Sequence, residues 1–175
     1  MDNSGLESGP LDLPHPHSSM SILAVCFRQG ARVTVHPGIG QDIIFPHPLL
    51  IGGAVGRASM SDFLLYADTI SGLEGGVYLS VGSAVMSPMI FEKSLSMARN
   101  LVCREGGALE DFLIVVTDLA ESTWDWSRGE PPMDHPAYYV RFCKSLSRMG
   151  GALHSAGMDN RAFLLNLYQR LAGAS

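Results

Sequence analysis

Three short stretches of the chain carry residue types that could do chemistry. In the first, Gly82-Ser83-Ala84 ends an apolar run, "GVYLSV", and opens an amphipathic stretch that begins at Ser87. A turn between a strand and a helix can aim backbone N–H groups and a helix N-terminus at a phosphate. "GSAV" lacks the second and third glycines of a GxGxxG fingerprint, and it is no Walker A loop. Taken alone the turn therefore reads first as a plain connection, since most such turns bind nothing.

The second stretch, "HPGIGQDIIFPHP", puts His36, Asp42 and His47 in one loop, a set that could bind a metal or exchange protons. A proline follows each histidine, which favours a rigid turn, and no HExxH or paired-carboxylate spacing supports a metal. No metal site is expected. Asp42 is the better candidate, as a carboxylate accepting hydrogen bonds from a ligand or, more simply, as the head of an Asx turn. The third stretch, "TWDWSRGEPPMDHPAYYVRF", combines Trp124, Trp126, Tyr138 and Tyr139 with Asp125, Glu130, Asp134, Arg128 and Arg141. Aromatic walls with carboxylates suit an amine or a nucleotide ring, and a subunit interface is enriched in the same residues. The chain has only two lysines, Lys93 and Lys144, so chemistry that needs a lysine has two candidates. With no GxSxG elbow and no nucleophile motif around Ser or Cys, hydrolase chemistry is not supported.

These stretches have to be positioned by something. Residues 1–17, rich in Gly, Pro, Ser and Asp, read as a flexible tail, and 18–175 as one domain. Ser18 or Ser19 can cap a helix through "MSILAVCFRQ", which Gly30 stops. "ARVTVHPG" reads as a short buried strand. After a long Gly- and Pro-rich loop, Ser59 or Ser61 can cap a helix over "SMSDFLLYADTISGL". Then come strand "GVYLSVG", helix "SPMIFEKSLSMARN" with Pro88 in its first turn, and strand "DFLIVVTDL". Past Leu119 the rhythm breaks, and "DNRAFLLNLYQRL" closes the chain as a helix capped by Asp159 or Asn160. Alternating helix and strand predicts an α/β fold with a mostly parallel sheet, whose ligands collect beyond the carboxyl ends of the strands. The loops at 36–57, 82–87 and 118–141 are expected at those ends.

Bulk properties narrow the function classes. The net charge is -5 with 12 scattered Lys and Arg, which argues against nucleic acid as a partner. No apolar run reaches the ~18 residues of a membrane span, and the N-terminal residues show neither a basic start nor an apolar h-region, so a cytoplasmic protein is expected. Cys26, Cys103 and Cys143 are far apart and form no CxxC pair, which predicts reduced thiols.

Taken together, "SMSILAVCFRQGARVTVHPGIGQD", "GGVYLSVGSAVMSPMIFEKSLSMARN" and "ALHSAGMDNRAFLLNLYQRL" resemble the carboxyl-terminal half of deoxyhypusine synthase. The resemblance is closer to the bacterial deoxyhypusine-synthase-like proteins of unassigned activity. It implies a three-layer, Rossmann-like α/β domain, here a partial version of the family's, that binds NAD and forms homo-oligomers with sites between subunits. By the same resemblance Gly38, Gly40 and Asp42 lie near the cofactor, and Gly82, Ser83 and Ala84 lie at its phosphates. Asp159 lies near the adenosine end. The family's Lys-His-His after the glycine turn is replaced here by Met86-Ser87-Pro88, and its catalytic lysine segment falls near "YYVRF", with Arg141 at the matched place and Lys144 three residues on. An arginine with pKa above ~12 is a poor amine nucleophile, which leaves Lys144 as the one candidate for capturing an imine.

Three functions follow as expectations. One is NAD-dependent dehydrogenation of an amine followed by imine transfer. The second is a non-catalytic assembly or interaction subunit, either a homo-oligomer or a chain that needs an amino-terminal half. The third is a phosphosugar-binding domain using the glycine turn as an anion site.

Overall fold

A computed structural model describes residues 14–120 and 122–173. Most of the expected tail, residues 1–13, lies outside the described residues. The chain forms α1 (Ile22–Gln29), α2 (Gly52–Ser71), β1 (Val77–Val81), α3 (Met86–Arg104), β2 (Leu113–Asp118), α4 (Arg141–Ser147), β3 (Ala152–Gly157) and α5 (Asn160–Gly173). Short 3-10 turns occur at Ser18–Met20, Trp126–Arg128 and Pro136–Tyr139.

The fold is α/β, with a three-stranded sheet in the order β1-β2-β3 and both pairings parallel. Val77 pairs with Leu113, and Leu113 in turn with Ala152. When neighbours in the sheet are neighbours in the chain and successive crossovers share one hand, the connecting helices fall on the same face. That is the arrangement observed. Phe91, Leu95 and Ala98 of α3 and Cys143 and Leu146 of α4 join Ile114, Val116 and Leu153 of the sheet in one buried core. Tyr78 of β1 stacks on Phe91, with ring centroids 4.0 Å apart. α2 lies on α3 and adds Ile70 to the same cluster.

Strand periodicity sends the alternate residues to the opposite face. There Val77 is 54% exposed and Leu79 42% exposed, and Ala152 and His154 of β3 are open as well. Among the described residues the helices α3 and α4 cover one face, and the other carries exposed apolar side chains. α1 behaves similarly, with Ile22, Leu23 and Phe27 exposed, Phe27 by 87%.

Several boundaries differ from the sequence expectations. α1 is capped by Ser21, whose side chain accepts from the Ala24 N–H at 3.3 Å, while Ser18 and Ser19 sit in the preceding 3-10 turn. Gly30 ends α1 with φ +66, as expected of a C-terminal glycine. The expected strand over 31–38 is absent. That segment is irregular and half of its residues are exposed, and its polar groups bond to α2 instead of to a sheet: the Val35 N–H donates to Asp62 at 2.8 Å, and Arg32 to Asp68 at 2.6 Å. α2 begins at Gly52, seven residues ahead of Ser59, because Ala54 and Val55 N–H groups close its first turn on the Ile51 carbonyl despite three glycines. Propensity costs of about 1 kcal/mol per glycine are small enough for context to override. α4 and β3 have no counterpart in the expected elements.

Candidate functional site

β1, β2 and β3 end at Val81, Asp118 and Gly157, and their carboxyl ends bring three turns together. The Gly82 N–H donates to the Thr117 carbonyl at 2.9 Å, and the Met158 N–H to the Asp118 carbonyl at 3.1 Å, so each strand extends its ladder into the next turn. The Thr117 hydroxyl, 1% exposed, donates to Asn160 Oδ1 at 3.2 Å. Asn160 is also why Gly82 must be glycine. Its φ is +63, and a Cβ there would overlap the Asn160 amide.

Two of the expected site segments therefore meet. Gly82, Ser83 and Ala84 lie beside Asn160 and its neighbour Asp159 at the sheet's carboxyl edge. Ser83 is half-buried, and its Oγ accepts from the Ser87 N–H at 3.0 Å, using one of the free donors at the start of α3. Asp159 caps α5: its carboxylate accepts from the Arg161 and Ala162 N–H groups at 3.0 and 3.2 Å and pairs with the Arg161 guanidinium at 3.1 Å. The Arg161 contact foremost, then the helix amides, hold this carboxyl below the usual range. Asp118 points its own carboxylate at the Ala120 N–H, at 3.0 Å. The edge thus offers glycine-turn amides, hydroxyls and two carboxylates, a set that matches hydroxyl or amine groups better than a bare phosphate.

The third expected segment is elsewhere. Asp42 accepts from the Gly38 N–H, while the Gln41 and Asp42 N–H groups return to the Gly38 carbonyl at 3.0 and 3.2 Å. This is a self-closed turn, with Gly40 at φ +78. Among the described residues, no hydrogen bond or ion pair joins Gly38, Gly40 or Asp42 to Gly82 or Asp159. The loop is anchored to α2, where the His36 ring meets Tyr66 edge-on at 5.1 Å. Partial burial lowers the His36 pKa, and the charge of Asp62 works against that.

Burial first, then the neighbouring Tyr78, push the Tyr66 hydroxyl well above its usual pKa. From Tyr78 a polar chain runs toward the glycine turn. Tyr78 and Ser80 each share a 2.7 Å hydrogen bond with the Ser87 Oγ. Sequence reasoning missed this chain, along with Thr117 and Asn160.

Lys144 lies on α4 with its Nζ 3.0 Å from Glu130 and 3.2 Å from the centre of the Tyr138 ring. Desolvation pulls its pKa down, but the Tyr138 and Glu130 contacts outweigh it and the net shift is upward. An ammonium held this way stays charged, whereas imine capture needs the free amine. The aromatic segment is largely satisfied internally: Trp126 is buried, and the Trp124 and Trp126 indole N–H groups donate to the Gly129 carbonyl at 2.8 Å and to Ser122 at 2.9 Å. Tyr139 remains exposed.

Comparison with known proteins found no matching family model, no matching curated protein and no matching solved structure. Among the described residues no three His, Cys, Asp or Glu side chains are grouped to hold a metal, and no helix is long and apolar enough to cross a membrane.

Proposed function

We propose that this chain is an assembly subunit, and that a second copy of itself covers its open sheet face. The observation that carries this reading is the one-sided sheet, with Val77 and Leu79 exposed on it. Area supports the same conclusion. The chain exposes 12701 Å², against about 8,300 Å² expected for a compact monomer of this mass. A standard protein–protein interface buries about 800 Å² on each partner. In the second copy the same face meets itself, so the contact can close as a two-fold dimer with the two sheets packed face to face between outer helix layers. The resemblance to deoxyhypusine-synthase-like proteins agrees with such an assembly, and three unpaired thiols agree with a cytoplasmic setting.

Sedimentation velocity on the purified chain tests this. The expected species has at least twice the 18.8 kDa chain mass, and Leu79→Asp reduces it to a folded monomer. A wild-type monomer at tens of micromolar would refute self-assembly, and would leave a different polypeptide as the partner.

A second reading rests on a separate observation, the meeting of Gly82, Ser83, Asp159 and Asn160 at one edge. Here the edge binds NAD or a related nucleotide beside a small amine, with Asp159 and Asp118 taking ribose or amine groups. Micromolar NAD binding that Ala84→Asp, at an exposed position of the same turn, abolishes without loss of fold supports it.

A further inference from the structure

A cleft at the opposite, amino-terminal end of the sheet has a different character from the carboxyl edge. It lies between α3 and the junction of α4 with β3, and has a volume of about 280 Å³. That is just below the ~300–1,000 Å³ of sites for drug-sized ligands. We propose that this cleft binds the oxyanion group, phosphoryl or carboxylate, of a small molecule.

Arg99 is the first reason. Its Nε donates to the Leu109 carbonyl at 2.9 Å and its guanidinium lies 5.8 Å from the Phe112 ring centre, so the group is fixed in place on a half-buried side chain. Among the described residues only its Nε is engaged in a hydrogen bond, which leaves both terminal nitrogens for an oxyanion. A planar guanidinium suits bidentate contact with carboxylate or phosphate. Gly150 makes room for it. With φ +79, Gly150 has no Cβ, and one would fall 2.9 Å from Arg99 Nη2.

Arg148 forms the facing wall. Its Nε and Nη2 are tied to Glu130 at 2.8 and 2.7 Å, which holds the guanidinium and, among the described residues, leaves Nη1 unengaged. Glu130 also serves Lys144, so one negative charge balances two positive ones. The charged groups that line the cleft are Arg99, Arg148 and Glu92, a local excess of one positive charge in a chain whose net charge is -5. Glu92 at the rim is paired with Lys93 at 3.0 Å.

Ser96 and Asn100 stand one helical turn apart on α3, also line the cleft and add neutral donors. Leu95 and Met149, both buried, form its floor. Charge-assisted hydrogen bonds over an apolar floor are stronger than those in open water. The floor also gives the carbon part of a ligand a surface to rest on.

The test is an NMR titration of the whole chain at low ionic strength, with inorganic phosphate in one arm and malonate in the other. Saturable shifts at Arg99, Asn100 and Arg148 are expected, with binding weakened roughly tenfold by Arg148→Gln and by Asn100→Asp. Saturation by phosphate alone assigns a phosphoryl ligand; saturation by malonate alone assigns a carboxylate. Asn100 is exposed, so Asn100→Asp keeps the fold, as circular dichroism can verify, while placing a negative charge at the site. Linear, unsaturable shifts with both anions, or equal affinity in Asn100→Asp, would overturn the proposal.

Discussion

Replacing Gly82 with alanine tests whether the glycine turn is shaped by the protein's own packing. At φ +63 an alanine pays the left-handed penalty, about 1–2 kcal/mol. Its Cβ also overlaps the Asn160 amide, and overpacking of this kind costs about 1–3 kcal/mol. The single substitution should therefore destabilise by about 2–5 kcal/mol. Gly40→Ala is the control: φ is +78 but nothing lies within 4 Å of the Cβ position, so only the backbone penalty applies. Asn160→Ala alone strands the buried Thr117 hydroxyl, at about 1–3 kcal/mol. In the double variant the overlap disappears, so its cost should fall short of the sum of the singles by about 1–3 kcal/mol. Urea unfolding followed by circular dichroism, at one fixed protein concentration because assembly shifts apparent stability, measures all four. If Gly82→Ala costs no more than Gly40→Ala, or the two sites prove additive, Asn160 does not pack the turn.

Two further outcomes follow from the side-chain environments. Burial first, and Asp118 to a lesser degree, push the Cys143 thiol up to about 11 against a smaller opposing effect of Ser155, whereas Cys103 is exposed. Alkylation at pH 8 should label Cys103 promptly and Cys143 only after unfolding; equal labelling rates in the folded protein would contradict the packed α4. The Lys144 contact foremost, with Arg148 alongside, depresses the Glu130 carboxyl, so its contribution to stability is present above the ordinary carboxylate range and is lost as pH falls through the depressed value. Glu130→Gln should flatten the acid limb of a plot of melting temperature against pH, and an unchanged limb would show that the ion pairs with Lys144 and Arg148 are not responsible.

The elements legible in the sequence were those whose local signal and tertiary role agree. β1, α3 and β2 combine an apolar run, a turn and an amphipathic helix, and each formed within a few residues of its expected place. "ARVTVHPG" has the composition of a strand, but a strand exists only when a neighbour accepts its backbone bonds, and here the Val35 N–H goes to the Asp62 side chain. The opposite failure is β3. Its "ALHSAG" buries only Leu153 fully and contains no β-branched residue, so pairing with Leu113–Asp118 makes it a strand where propensity does not. Missing β3 had a consequence for the site. Without it, the residue spacing reads Asp159 and Asn160 as a helix cap, and only the family resemblance, which set Asp159 at the adenosine end, brought one of them toward the site of Gly82. The turn at 38–42 illustrates the reverse, since Asp42 satisfies itself locally and its residue types alone could not show where the loop sits.

The strand order also sets a timetable for synthesis. Val77 and its partner Leu113 are 36 positions apart, and Leu113 and Ala152 are 39 apart, so no pairing spans more than one crossover. Such local pairings carry small loop-closure costs. β1, α3 and β2 can therefore close into a two-stranded unit while the ribosome is still adding residues beyond 118, and β3 docks onto a template already made. During that interval Cys143 and Leu146 of α4 have not yet joined the core around Val116 and Ile114, and the nascent chain offers its β2 edge to whatever strand arrives first.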